Sequence, residues 1–380
     1  MIRTIYLDNA ATSFPKPQSV EKAAARCMAG YCVNAGRSSH RLSRMADEKI
    51  FTAREELCSL FGINTPEQIS FTYNTTYALN IGMKGVLKRG DHLIISSMEH
   101  NSVLRPAVSL SSAGVELSIA QADKNGEIVW KNIAPLIKPN TKMVALIHAS
   151  NVTGRVNNIR EIGLNLRKKG IIFLVDAAQS AGIVPINVKY DFIDILCFPG
   201  HKGLLGPSGT GGIYVSEKVN IKPYIQGGTG SMSESRFQPD FMPDMLESGT
   251  PNVCGIAALS EGVKFVRNNI KEIAEHESTL ADELAEKLAT LKGVRLLGRG
   301  GGKNTGIVGI ALDGIPPAEA AYYLDRDYGI ATRAGFHCSS LAAKTLETEK
   351  DGSLRFSFGP FNKRQDVEKA SVAMMNILSR

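Results

Sequence analysis

Short apolar runs that alternate with helix-like stretches occupy residues 69–215 and constrain the fold more than any other feature of this chain. Helix-like segments such as Asn101–Ser112 and Ile159–Lys169 lie between several of these runs. Strands that are apolar throughout and are joined by helices indicate a mostly parallel sheet with helices on both faces. We therefore predict an α/β fold whose large domain contains a seven-stranded sheet. The predicted strands are Ile69–Thr72, His92–Ser96, Val115–Ile119, Met143–His148, Ile171–Val175, Phe192–Phe198 and Gly212–Val215.

The pattern changes after about residue 254, where two apolar stripes with helical spacing follow one another. The first stripe runs from Ile256 to Ile270 and the second from Ile273 to Leu291, and Gly293 is predicted to cap the second helix. The further predicted elements are a strand at Gly306–Leu312, a helix near Pro317–Tyr328 and a strand at Ser353–Phe358. This mixture is typical of a smaller α+β domain.

The length of 380 residues allows for two domains of this kind. We predict a large domain at residues 16–254 and a small C-terminal domain at 255–380, which also takes in the N-terminal segment 1–15. Hydrophobic residues make up 43% and charged residues 21% of the chain, as in ordinary globular proteins. This composition excludes a disordered or fibrous protein.

Neither a membrane nor a nucleic acid is an expected partner. The longest apolar stretches, such as Ile171–Val175, are far too short to span a bilayer, and the first residues do not resemble a signal peptide. The formal net charge is +7, but the basic residues are mixed with acidic ones instead of forming the stripe that nucleic-acid binding requires. We expect a cytoplasmic protein.

The six cysteines include no Cys-x-x-Cys pair, and we predict no metal site. Because a cytoplasmic protein keeps its thiols reduced, most of the cysteines are expected to be small buried apolar residues. Cys338 is the expected exception, since it follows Arg333 by five residues on a glycine-containing loop.

Unusual polar residues follow four of the predicted strands, at the edge where open parallel sheets bind ligands. Thr75 and Thr76 begin a helix after the first strand and are either a phosphate site or a plain threonine cap. His100 follows the second strand and could lie over a planar ring, although a lone histidine is more often structural. Asp176 and Lys202 follow the fifth and sixth strands. A lysine, an acid and a phosphate anchor are what pyridoxal phosphate requires, so we predict that cofactor.

Nine short motifs, in the same order along the chain, resemble those of the cysteine desulfurase and selenocysteine lyase group of the class V aminotransferases. They are Tyr6-Leu-Asp-Asn-Ala-Ala-Thr12, Asn74-Thr-Thr76, Met98-Glu-His100, Ser150-Asn-Val-Thr-Gly154, Val175-Asp-Ala-Ala-Gln-Ser180, Gly200-His-Lys202, Gly249-Thr-Pro-Asn252, Arg333-Ala-Gly-Phe-His-Cys338 and Leu354-Arg-Phe-Ser-Phe358. The resemblance covers nearly the whole chain and implies the fold type I architecture of pyridoxal-phosphate enzymes.

The resemblance implies a role for each residue around the cofactor ring. Lys202 would hold the cofactor covalently on its amine and later move the Cα proton of the substrate. Asp176 would pair with the ring nitrogen, and Gln179 would hydrogen-bond the phenolic oxygen. His100 would stack on the ring and assist proton movement, with Asn151 beside the ring and the substrate.

The phosphate would be held by Thr75, Thr76 and His201. By the same resemblance, Thr250 would reach the phosphate of the other subunit, which implies a homodimer with shared active sites. Members of this group usually have a serine or threonine two residues before the histidine of the Gly-His-Lys turn. Here that residue is Pro199, which offers neither a hydroxyl nor an N–H group.

At the substrate end, Arg355 would bind the substrate carboxylate with Arg333 nearby, since a guanidinium pairs well with a carboxylate. Cys338 would attack the sulfur of bound cysteine to give alanine and an enzyme persulfide. Arg333, or His337 if protonated, would place a cation next to the thiol. The segment from Cys338 to Arg355 is compact, so sulfur transfer is expected to need a dedicated acceptor protein. Phe336 replaces a histidine that is frequent in members resembling selenocysteine lyase.

The leading hypothesis from the sequence is a pyridoxal-phosphate-dependent cysteine desulfurase that acts on L-cysteine. Other class V activities stay open, namely a selenocysteine lyase, a cysteine or cystine C–S lyase, or a true aminotransferase, which would have no need of Cys338. A third alternative is a catalytically silent paralogue that binds a partner. The presence of Lys202, Asp176 and Arg355 argues against it.

Overall fold

The computed structural model describes residues 4–36 and 38–380. Residues 1–3, the start of the segment predicted to join the small domain, lie outside the described residues. The helices are α1 Gln18–Gly30, α2 Arg41–Phe61, α3 Thr75–Lys84, α4 Asn101–Ser112, α5 Trp130–Ile133, α6 Ile159–Lys168, α7 Val253–Ala289, α8 Pro317–Tyr328, α9 Ser340–Thr345 and α10 Arg364–Leu378. The strands are β1 Ile5–Tyr6, β2 Ile69–Thr72, β3 His92–Ser96, β4 Glu116–Ala120, β5 Thr141–Ile147, β6 Ile172–Asp176, β7 Ile195–Pro199, β8 Gly211–Val215, β9 Val294–Leu297, β10 Ile307–Leu312, β11 Ile330–Ala331, β12 Arg333–Gly335 and β13 Ser353–Ser357.

The large sheet contains seven strands in the order β2-β8-β7-β6-β5-β3-β4. Every neighbouring pair from β7 to β4 is parallel, and β8 runs antiparallel to both of its neighbours. The predicted α/β class and the seven-stranded, mostly parallel sheet are therefore confirmed.

Helices cover both faces of this sheet, because successive side chains of a strand point to opposite faces. Ile94 and Phe173 pack into one apolar core with side chains of α2, α6 and the start of α7. The adjacent residues Leu93 and Leu174 pack into a second core with side chains of α3 and α4. Burial on both faces explains why the strands are apolar throughout.

The C-terminal part is built on an antiparallel sheet with the strand order β12-β13-β10-β9. Its core combines side chains of α8, α10 and the second half of α7. The N-terminal strand β1 pairs with β11, and Ile5 and Leu7 join the same core. The start of the chain is thereby fixed to its C-terminal part.

Helix α7 agrees with the sequence prediction of two successive helical stripes. Its 37 residues form two helical segments that meet at a kink at Asn269, which departs from helical geometry with φ −132° and ψ 16°. It ends at Ala289, capped by Thr290, so the predicted cap at Gly293 is wrong; Gly293 instead takes a positive φ in the turn before β9. Because α7 packs into both parts of the molecule, the predicted domain boundary at 254/255 stays a prediction. Among the described helices none is long and apolar enough to cross a membrane.

Candidate active site

The sequence-predicted residues gather at the carboxyl edge of the large sheet. Asp176 is the last residue of β6, and Lys202 lies on the turn after β7. Thr75 begins α3 directly after β2, and His100 precedes α4 after β3. Since these four strands run in the same direction, their ends meet at one edge, where open sheets of this type bind ligands.

Lys202 is held by backbone contacts of its turn. Gly200 donates its N–H to the carbonyl of Thr210 at 2.8 Å, and Ser13 donates its hydroxyl to the carbonyl of Lys202 at 3.0 Å. Burial lowers the pKa of the Lys202 amine to about 8, and the positive charges of Arg355 and Arg333 act in the same direction, against the opposing effect of Asp176. A neutral amine near physiological pH is a nucleophile.

Asp176 is buried at the end of β6, and its Oδ1 accepts a hydrogen bond from the backbone N–H of Ala178 at 2.9 Å. Burial raises the pKa of this carboxyl to about 6, while the positive charge of Lys202 opposes the rise. Gln179, also buried, donates its amide to the carbonyl of Ala10 at 3.0 Å. A buried carboxylate of this kind is suited to a cationic partner such as a protonated ring nitrogen.

The expected phosphate residues carry unused hydrogen-bonding groups. The Oγ1 atom of Thr75 and the Nδ1 atom of His201 are buried without a hydrogen-bond partner in the described part of the chain. Burial, followed by the charges of Lys202 and Lys16, lowers the pKa of His201 to about 4, so its ring is neutral. Buried polar atoms without partners are rare in folded proteins. They fit a ligand with several acceptor oxygens at the N-terminus of α3, as the predicted cofactor would supply.

His100 is also the N-terminal cap of α4. Its Nδ1 accepts a hydrogen bond from the backbone N–H of Ser102 at 3.0 Å. Burial, with the charges of Lys202 and Arg333, lowers its pKa to about 4. The neutral ring therefore carries its proton on Nε2. The hydroxyl of Ser102 lies 2.7 Å from that of Thr76, which links the starts of α3 and α4.

Arg355 is fully buried in β13, with its guanidinium between two parts of the chain. Nη2 contacts Asp8 Oδ1 at 2.8 Å and Nη1 donates to the carbonyl of Asn151 at 2.8 Å. Its Nε has no partner among the described residues. The unused donors of this guanidinium, beside Arg333 and Lys202, suit the carboxylate of an amino acid.

Cys338 is exposed on the loop between β12 and α9, and its Sγ accepts a hydrogen bond from Arg333 Nη2 at 3.4 Å. Both His337 and Cys338 have left-handed backbone conformations, with φ 49° and 58°. Such angles are unusual for residues other than glycine and persist only where the surroundings impose them. Burial lowers the pKa of His337 to about 3, so His337 is neutral. Of the two expected cations beside the thiol, Arg333 is therefore the one that is charged.

Three hydrogen bonds fix this loop against the large sheet. The carbonyl of Cys338 accepts from the backbone N–H of Asn101 at 2.7 Å. Asn151 donates its amide to the carbonyl of His337 at 2.7 Å, and Ser339 donates its hydroxyl to Asn151 Oδ1 at 2.9 Å. Asn151 therefore connects the cysteine loop to Arg355.

Thr250 does not join the other predicted residues within one chain. It is exposed and lines a cavity of about 480 Å³ together with Tyr73 and Asn252, and Lys202 is not part of that lining. This position leaves Thr250 accessible to a second chain.

Sequence reasoning missed Asp8, Ser102 and Lys16 as members of the site. Asp8 contacts Arg355, and Lys16 donates from Nζ to the carbonyl of His201 at 2.9 Å. Burial lowers the pKa of Lys16 to about 8. The pair Asp8-Asn9, one residue after β1, was a usable signal, because it resembles the pattern of a carboxylate at a strand end.

Known proteins resemble this chain over nearly its whole length. A probable cysteine desulfurase from Methanothermobacter thermautotrophicus is 32% identical over 372 residues, which make up 96% of this chain and 92% of that protein. One from Pyrococcus abyssi is 34% identical over 374 residues, again 96% and 92% of the two chains. The solved apo structure of the cysteine desulfurase from Thermococcus onnurineus NA1 superposes with a TM-score of 0.93 at 33% identity and covers 99% of this chain and 95% of that one.

The family model of the class V aminotransferases matches residues 5–370 of this chain. With that match and these full-length relatives, the chain belongs to the class V aminotransferase family, which implies dependence on pyridoxal phosphate.

Proposed function

We propose that this enzyme is a cysteine desulfurase that converts L-cysteine to L-alanine and keeps the sulfur as a persulfide on Cys338. The observation that carries the proposal is the placement of Cys338. It is exposed and contacts Arg333 on a loop that Asn151 ties to the buried Arg355. An aminotransferase needs no thiol at such a position.

Pyridoxal phosphate, when bound, supplies an electron sink for the bond changes at the amino acid. In the proposed arrangement, Lys202 carries it and Asp176 faces its ring nitrogen. Thr75, Thr76 and His201 hold the phosphate. The buried Thr75 hydroxyl and His201 Nδ1, which lack other partners among the described residues, support this assignment.

Arg355 binds and orients the substrate carboxylate in this proposal. Its guanidinium is fixed by Asp8 and by the carbonyl of Asn151, so little side-chain freedom is lost when a carboxylate binds. Lys202 accepts the Cα proton of the substrate, for which the lowered pKa of its amine, about 8, is well matched near neutral pH.

Cys338 then attacks the substrate sulfur as a thiolate. The new S–S bond forms as the bond between Cβ and sulfur breaks, and the electron pair of the broken bond stays with the substrate carbon. That carbon takes up a proton and becomes the methyl group of alanine, while the proton on the transferred sulfur stays there as the persulfide S–H. No external oxidant or reductant is needed.

The test is the release of alanine and sulfide from L-cysteine in the presence of a reductant, with Cys338→Ser compared against wild type. We expect equal yields of alanine and sulfide from wild type and the loss of both in the variant, with cofactor absorbance unchanged. Cys58→Ser is the control, since Cys58 lies buried in α2. Undiminished release by Cys338→Ser would instead identify a C–S lyase, and transamination with a keto acid would identify an aminotransferase.

A further inference from the structure

Three cysteines from distant parts of the chain meet on the side of the molecule that carries α1 and the start of α7. Cys27 lies in α1, Cys32 follows that helix, and Cys254 lies in the first turn of α7. Their Sγ atoms all lie within 4.8 Å of one another, and all three are free thiols. The proposed desulfurase reaction uses none of them.

The spacing of the sulfur atoms suits a single shared ion. Zinc–thiolate bonds of about 2.3 Å place two sulfur ligands of a tetrahedral ion roughly 3.8 Å apart. The three Sγ atoms lie within 4.8 Å of one another, so this sulfur–sulfur separation falls within the range that they span. A disulfide would use only two of the three thiols and leave the third unpaired.

The backbone brings Cys32 back towards Cys27. Tyr31 donates its N–H to the carbonyl of Cys27 at 3.0 Å, and Val33 donates to the carbonyl of Tyr31 at 2.8 Å. These bonds turn the chain sharply after α1. Cys254 is held in place by the N-terminal cap of α7. There, the side-chain Oδ1 of Asn252 accepts a hydrogen bond from the N–H of Gly255 at 3.0 Å.

The surroundings of the three thiols differ in a way that a metal site requires. Cys27 is fully buried, Cys254 is partly buried against the apolar core, and Cys32 is exposed, so an ion can enter from the side of Cys32. The positive end of the α7 dipole favours the thiolate that Cys254 becomes on binding.

We propose that Cys27, Cys32 and Cys254 bind one thiophilic d¹⁰ cation, Zn²⁺ or Cu⁺, through three thiolates. Soft sulfur ligands select these two ions. Each thiol releases its proton to solvent as its metal–sulfur bond forms, and no electron is transferred. Three sulfurs complete a trigonal Cu⁺ site, whereas Zn²⁺ takes water as a fourth ligand on the open side. The sequence alone had predicted no metal site.

The test uses the cofactor-loaded protein with Cys338→Ser as background, because the exposed Cys338 thiol binds metals as well. The protein is reduced under anaerobic conditions, stripped of metal and titrated with Cd²⁺. The sulfur-to-cadmium absorbance in the ultraviolet reports how many thiolates bind. We expect saturation at one Cd²⁺ per chain. Separate titrations with Zn²⁺ and with Cu⁺, each against a competing chelator, identify which ion binds more tightly.

The variants Cys32→Ser and Cys254→Ser are expected to weaken Cd²⁺ binding more than about tenfold, since even the groups that only support metal ligands have effects of that size. The matched control Cys58→Ser removes a thiol outside the cluster and should leave binding unchanged. The same Cd²⁺ affinity in both cluster variants would overturn the proposal. So would a disulfide among the three cysteines in the anaerobically purified protein. Failure of this proposal has no bearing on alanine release, which tests the desulfurase separately.

Discussion

At the individual residues of this site, burial shifts the pKa values more than nearby charges do. Asp176 favours the charged form of Lys202, yet the pKa of Lys202 falls to about 8, because burial and two nearby arginines oppose it. Burial likewise keeps His100 and His201 neutral at physiological pH, with pKa values of about 4. The site therefore combines fixed arginine charges with neutral nitrogen groups that can give or accept protons.

The lowered pKa of Lys202 predicts how the protein without cofactor takes up pyridoxal phosphate. Only the neutral amine is nucleophilic, and its fraction rises with pH through about 8 instead of through the ordinary value of 10.5. The rate of covalent capture, followed by absorbance, should therefore have its midpoint near pH 8. Asp176→Asn removes a charge that raises this pKa, so its midpoint should shift to lower pH. A midpoint above pH 10 in wild type would contradict the account.

Substitution of Arg355 is predicted to weaken substrate binding without affecting cofactor binding. Arg355→Lys keeps the positive charge but loses the two-pronged geometry of the guanidinium, so we expect the KM for L-cysteine to rise about tenfold or more. Cofactor absorbance should be retained. Steady-state kinetics checks this against Arg364→Lys, a control at an exposed position at the start of α10, where the side chain pairs with Glu283. An unchanged KM for Arg355→Lys would show that other residues bind the substrate carboxylate.

Among the structural elements, the loop that carries Cys338 is held more tightly than its exposure indicates. Its backbone is bonded to Asn101 and Asn151, and the left-handed angles of His337 and Cys338 are imposed by those contacts. The loop therefore presents the thiol in one position. In the proposed reaction, delivery of sulfur then requires an acceptor that comes to this loop.

Substitution of Ser339 tests how much the fixed position of this loop contributes to the rate of alanine formation. Ser339→Ala removes the hydroxyl that holds Asn151, so the position of the thiol should loosen. We expect alanine formation to slow about 10- to 100-fold, the usual cost of losing a group that supports a reactive one. Ser340→Ala is the matched control, because Ser340 is adjacent and exposed. Equal rates for the two variants would show that the loop needs no such support.

The sequence was sufficient for the strands of the large sheet, because strands buried on both faces must be apolar throughout. It also located the kink of α7, because the two predicted apolar stripes meet next to Asn269, where the helical geometry is interrupted. It failed at the end of α7, where Thr290 and not Gly293 is the cap. Lys202 and Asp176 could be found because a charged residue at the end of an apolar strand is conspicuous. The contact between Asp8 and Arg355 could not be found from the sequence, since the two residues are 347 positions apart.

For the whole molecule, the position of Thr250 bears on assembly. Within one chain it lines a cavity that Lys202 does not reach. The prediction of a homodimer with shared sites gives Thr250 a function in the partner's site, which accounts for an exposed threonine on this loop.

Hybrid dimers test the sharing of sites. A chain with Lys202→Ala and a chain with Thr250→Val are each expected to be impaired as homodimers. A hybrid of the two contains one site with a native Lys202 and a native Thr250 from opposite chains. Alanine formation should therefore recover towards half of the wild-type rate. Absence of recovery in purified hybrids would place Thr250 and Lys202 in sites of the same chain.

The most direct measurement of the central claim is the mass of the peptide that contains Cys338 after brief exposure of the enzyme to L-cysteine without reductant. The desulfurase account predicts that this peptide gains one sulfur atom, with one alanine released for each persulfide formed. It also predicts that Lys202→Ala abolishes the gain. Formation of alanine while Cys338 stays unmodified would contradict the account.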